Sequence, residues 1–215
     1  MQQHVLSEAL QLPEFSRRLV QAANYTVREN LEAAFAVYDG PAVSKIVRQT
    51  QDDMENAEGG RDYNTLSRQS FGQIDNYHME KLTHTEPQDA TERPMLRTDF
   101  GLIVHTHPVF YDESPKDMQR PSTGDLARFE KRVVHRPDYI DGIAVKHQGL
   151  GGIALLLYKA SEDFSPQRLQ MIEDSPNTPH TLRLMREAGI QSTTLLFDPN
   201  KGRLVSDLKS LDLLF

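Results

Sequence analysis

The 215-residue chain contains no cysteine. Disulfides and thiolate metal sites are therefore excluded, and a metal here would need His, Asp, Glu or water as ligands. The same absence suits a reducing compartment, and a cytoplasmic location is expected. Long hydrophobic runs are also missing. The longest, Ile153 to Tyr158, falls far short of the ~20 apolar residues that cross a bilayer, so no membrane partner is expected. The opening "MQQHVLSEAL" lacks the basic segment and apolar block of a secretory signal. Positive charge is in the minority, with 24 Lys and Arg against 31 Asp and Glu, a net −7. A nucleic-acid partner calls for a basic face, so none is expected. No Gly-rich phosphate loop occurs either: "GLGG" at 149–152 runs into an apolar strand, not into Lys-Ser/Thr and a helix.

What the chain does contain is the composition of one globular domain, 38% hydrophobic and 26% charged. Helical spacing of Phe15, Leu19, Val20 and Ala23 predicts a helix over 14–23. "LEAAFAVYDG" (31–40) reads as a strand, Asp39-Gly40-Pro41 as a turn, and 42–50 as its partner strand. Residues 51–98 are mostly polar, with a helix predicted near 62–70 and a strand near 71–80. A connection of that length without structure is foreign to a compact domain, so partial order or a functional insertion is expected. A strand over 100–106 follows, then a second polar loop, 108–121. Ser122 and Asp125 mark a helix start and Pro137 its end. Strands at 141–147 and 152–160 flank the Gly-rich turn "QGLG". A helix over 179–188 and a hairpin turning at Pro199-Asn200-Lys201-Gly202 complete an α/β or α+β sheet domain.

Chemistry concentrates in "GLIVHTHPVF" (101–110). His105 and His107 are two apart on a strand, so they share a face with a rise of roughly 6.6 Å between them. Two imidazoles so placed can converge on one metal ion, although an isolated H-x-H also occurs simply as a surface strand end. Downstream, Asp125 sits in the first turn of the predicted helix, where a carboxylate suits the helix dipole and also serves as an ordinary capping box. His78 and His84, six apart in the polar segment, are surface residues or part of an insertion near the cleft; His135, His147 and His180 have no partners at ligand spacing, and all five are read as structural.

Strand, H-x-H-P, loop and S-x-x-D opening a helix together resemble the JAMM (MPN+) zinc metalloprotease family. Its motif is an upstream Glu followed by H-x-H-P-x6-S-x-x-D, matched here by His105, His107, Pro108, Ser122 and Asp125. The resemblance runs from about Glu14 to Tyr158. It departs from the family twice. Thirteen residues, "VFYDESPKDMQRP", separate Pro108 from Ser122 where the motif has six. The upstream glutamate, Glu32, lies eight residues before Gly40, where the family has seven. Glu29 is the rival for that position.

The resemblance implies a deaminase-like mixed sheet flanked by helices. The catalytic domain would cover 1–160 with insertions at 51–98 and 108–121, and 161–215 would be a C-terminal helix-hairpin extension packed on it. It also implies a Zn²⁺ cofactor held by His105, His107 and Asp125, with the fourth position left to water. Glu32 would act as general base and Ser122 as oxyanion donor, the latter worth roughly 2.7–4 kcal/mol. The substrate would be a protein, cut at a peptide or isopeptide bond, including a ubiquitin or ubiquitin-like tail. The acidic loop after Pro108 would gate the cleft and favour a basic or neutral tail. Two alternatives stay open. One is an inactive JAMM-like interaction scaffold, which need not hold stoichiometric zinc. The other is a RadC-like protein of DNA metabolism, which shares H-x-H-P and S-x-x-D. A metallo-β-lactamase site is rejected because Val109 and Phe110 follow Pro108 where H-x-H-x-D-H is required. An amidohydrolase barrel is rejected because the chain is short for eight β/α units.

Overall fold

Alternating apolar residues give a strand two usable faces, and here helices cover both faces of one sheet. The computed structural model describes residues 1–38, 43, 46–48, 100–108, 120–146, 151–172 and 178–215. The elements predicted within 51–98, the gating loop over 109–119, the turns at 39–42 and 147–150, and His78, His84 and His147 lie outside the described residues. The strands are β1 (Ala33–Tyr38), β2 (Val47–Arg48), β3 (Phe100–Thr106), β4 (Ile140–Lys146), β5 (Ile153–Ala160), β6 (Ile190–Asp198) and β7 (Arg203–Leu204). They form a mixed sheet in the order β2-β1-β3-β4-β5-β6-β7. Among the described residues only the β3–β4 pair is parallel, and the other neighbours are antiparallel. The chain between β3 and β4 includes helix α3 (Thr123–His135). A parallel pair needs such a crossover, whereas antiparallel neighbours need only a turn.

On one face lie α1 (Gln3–Gln11), α2 (Pro13–Glu29) and a C-terminal 3-10 helix, Leu208–Leu214. Leu6, Phe15, Leu19 and Leu211 pack there against Phe35, Val104, Leu155 and Leu195. The Phe15 and Phe35 rings meet edge-on at 5.4 Å. The other face carries α3, α4 (Pro166–Leu169) and α5 (Thr178–Glu187). Here Leu126, Phe129, Leu169 and Met185 cover Ile143, Val145, Leu156 and Tyr158. Each large side chain so buried contributes about 1.5–3 kcal/mol.

The predicted helix 14–23 is the N-terminal part of a longer one, Pro13–Glu29. Pro13 opens α2 at a position that needs no N–H, and Asn30 closes it in the left-handed region at φ 55°. Its last turns, "NYTVRE", are too polar to show the apolar period, yet Thr26 is buried there. Helix α1 was not anticipated. Of the partner strand predicted over 42–50, the described residues keep Val47–Arg48 and one bridge between Val37 and Val43. The helix predicted to end before Pro137 ends at His135, and that predicted at 179–188 runs from Thr178 to Glu187. Residues 161–215 add to the same sheet, because β6 pairs with β5 along its length, from Ile153↔Phe197 to Ala160↔Ile190. The α5–β6 turn depends on Gly189: its φ is +79°, and a Cβ there would meet the Asp163 carbonyl oxygen at 2.5 Å. Among the described residues, no helix is long and apolar enough to cross a membrane.

Candidate metal centre

Helix α3 begins beside the C-terminal end of β3, on the flank where β3 runs parallel to β4. Such strand ends are where open α/β sheets place ligands, because the crossover leaves a crevice and presents a helix N-terminus to it. His105 and His107 supply the strand side and Asp125 the helix side. His105 Nε2 lies 3.1 Å from His107 Nε2. Asp125 Oδ1 is 3.2 Å from the first ring nitrogen and its Oδ2 is 3.3 Å from the second. All three residues are buried, Asp125 completely so. Their donor atoms lie within 4.8 Å of one another, a group able to hold a metal ion. Bonds of about 2.0–2.1 Å to a tetrahedral ion separate its ligand atoms by about 3.3–3.4 Å. The two short Asp125 contacts use different carboxylate oxygens, so the three residues are gathered around one point, and ligation through a single oxygen takes a turn of the carboxylate.

A buried carboxylate must be compensated, and Asp125 is held on every side. The backbone N–H of Ser122 donates to Oδ2 at 2.7 Å and the Ser122 hydroxyl at 2.8 Å. The Asp125 N–H donates back to Ser122 Oγ at 3.2 Å, which completes the capping box. The Arg128 guanidinium, one turn on, pairs with Oδ1. Burial alone would raise the Asp125 carboxyl; the charges of His105 and Arg128 and the hydrogen bonds from both rings outweigh it and hold it well below the usual carboxylate range. The carboxylate is therefore ionised at neutral pH, as a ligand must be.

Glu32 directly precedes β1. The antiparallel register pairs Ala34 with His105 and Phe35 with Val104. Continued by two residues, that register sets Glu32 opposite His107, and Glu32 shares the face of Ala34 by alternation. The electrostatics agree: burial raises its carboxyl to about 8, His107 and Arg128 pull it down and Asp125 pushes it up. The rival Glu29 is the last residue of α2, exposed and paired with Arg28. Thr106, between the histidines, points the other way. Its hydroxyl accepts from the Ala33 N–H at 2.9 Å, donates to the Ala33 carbonyl at 3.1 Å and shares a hydrogen bond with Thr26. This buried knot ties the backbone next to Glu32 to the middle of the H-x-H strand.

Ser122 stands beside the triad, but its proton is committed to Asp125, so the observed role of the hydroxyl is to cap α3 and orient that carboxylate. His135 and His180 are exposed, and His180 bonds to Arg183. Two groups near the centre, Arg128 and Asp141, belong to no motif of the sequence. Asp141 is buried on β4, with Oδ1 3.8 Å from His105 Nδ1 and Oδ2 3.6 Å from Arg132. Burial raises its carboxyl, against the pull of Arg132 and His105. An acidic residue inside the apolar stretch "YIDGIAV" was the signal for it.

Compared by sequence, the chain matches no protein-family model and no curated protein.

Proposed function

We propose that the chain is a zinc-dependent hydrolase of the JAMM (MPN+) kind that cuts a peptide or isopeptide bond in a protein substrate. The observation that carries the reading is the buried group of His105, His107 and Asp125 with the Glu32 carboxylate on the same face. His105, His107 and Asp125 would hold the ion, since two neutral imidazoles and one carboxylate suit zinc and leave a position open. When bound, zinc supplies Lewis acidity and a water nucleophile that ionises near neutral pH.

The protein's own groups do the rest. Glu32 takes the proton of the attacking water and delivers it to the leaving amine. For this task a carboxyl lifted towards neutral pH by burial is better matched than an exposed one. A dication beside it favours the carboxylate form and so readies the base. Ser122 keeps Asp125 oriented, and the oxyanion role that the resemblance implies would require its hydroxyl to turn away from that carboxylate. The class of substrate, a protein ending in a ubiquitin-like tail or joined through a lysine, follows from the H-x-H-P and S-x-x-D resemblance.

The test is hydrolysis of isopeptide-linked and linear ubiquitin-like fusions by zinc-loaded protein. Wild type should cleave at least one of them, and Glu32→Gln should keep its zinc while losing about 10²–10⁴ in rate. A zinc-loaded wild type that cleaves none would favour the interaction-scaffold reading.

A further inference from the structure

We propose that Asp141 is a positioning residue for His105: its carboxylate takes the ring's Nδ1–H, which leaves Nε2 as the metal-facing nitrogen, and Arg132 steadies it from behind. The inference rests on the metal reading of the site.

A carboxylate with 1% exposure inside an apolar strand is costly unless its surroundings compensate it. The compensation here is partial and pointed. The parallel register pairs Asp141 with Ile103, which places it on the face that carries His105. Its Oδ1 accepts from the Gly142 N–H at 3.0 Å and lies 3.8 Å from His105 Nδ1. The other ring nitrogen, Nε2, lies between His107 and Asp125. The two nitrogens of one imidazole therefore face two different partners, one in the donor triangle and one outside it. Ligation through Nε2 requires the proton on Nδ1, and a carboxylate at that nitrogen selects this tautomer and fixes the ring plane. Closing 3.8 Å to a hydrogen bond of about 2.9 Å takes a shift of about 0.9 Å, within reach of a ring rotation as the ligands tighten.

Arg132 is itself placed rather than free to swing. It donates to the Tyr139 hydroxyl at 2.6 Å and lies over that ring at 5.2 Å. On α3, Asp125, Arg128 and Arg132 fall at i, i+3 and i+7, one stripe of the helix. That stripe thus carries a ligand, the arginine that holds the ligand, and the arginine that holds the carboxylate behind His105.

Zinc affinity measured by competition with a chromophoric chelator tests this without any substrate. Asp141→Ala should lose about 10–100-fold in affinity, the range for removal of an outer-shell partner. Asp141→Asn, which keeps an acceptor oxygen, should lose less and should shift the His105 Nδ1–H resonance in ¹⁵N-histidine spectra. Tyr158→Phe, directly opposite Asp141 in the β4–β5 register, should leave zinc affinity unchanged, which controls for a mere change in the core. Should Asp141→Ala not fold, the Asn variant and its His105 resonance carry the test alone. Zinc affinity equal to wild type in the Asp141 variants, or an unmoved His105 resonance, overturns the inference while the metal reading stands. A wild type without zinc overturns both.

Discussion

Replacing Glu32 by Gln should change how stability depends on pH, and this can be measured before any substrate is known. Burial raises the Glu32 carboxyl from 4.5 to about 8 in the folded chain. Unfolded, it is exposed to water and ionises near its ordinary value. Between these two pH values the folded state keeps a proton that the unfolded state has released. Stability from this group is therefore whole below about pH 4.5 and declines as the pH rises towards 8. The slope approaches about 1.4 kcal/mol per pH unit in the middle of that window. Glutamine carries no such proton, so Glu32→Gln removes the slope and leaves every other titration common to the two chains. Urea denaturation of chelator-treated wild type and variant across the window isolates the difference. Wild type should lose ground to the variant steadily with rising pH. Added zinc should narrow the gap, because a dication favours the carboxylate. A difference that stays flat from pH 4.5 to 8 would refute the burial of this carboxyl beside the histidines, and the general-base role with it.

Two further outcomes bear on the same region. Ser122→Ala removes both the α3 cap and a donor to Asp125 Oδ2, so it should cost about 1 kcal/mol in denaturation and weaken metal retention; unchanged values for both would remove Ser122 from the account. Tyr158→Phe should be neutral or raise stability by about 1 kcal/mol, because the buried Tyr158 hydroxyl has no hydrogen-bond partner among the described residues. A loss of stability in the guanidinium midpoint would mean that the hydroxyl is paired.

The parts of the site legible in the sequence were those whose chemistry is local. Period-two alternation puts His105 and His107 on one face wherever the strand lies, and Ser122 with Asp125 announces a capped helix start from four residues alone. Glu32 was reachable only by a resemblance in spacing; the structural reason is register, with β1 antiparallel to β3 and Ala34 beside His105. Glu29 is separated from it by the left-handed Asn30, a chain reversal that no periodicity reveals. Asp141 approaches His105 across a parallel strand pair and Arg132 reaches Asp141 from a crossover helix, meetings that sequence distance hides. The sheet itself was largely readable from apolar runs. Helix α1 and the last turns of α2 were not, because their burial depends on Leu6, Leu10 and Thr26 reaching other elements rather than on a strong apolar stripe.

Whether His105, His107 and Asp125 hold a metal ion is read from the metal content of the purified chain. Protein prepared with little zinc, reconstituted, freed of loose metal and examined by inductively coupled plasma mass spectrometry should hold one zinc per chain. His107→Ala and Asp125→Ala, folded by circular dichroism, should hold almost none. Wild type with no zinc, or either variant with as much zinc as wild type, would contradict the account.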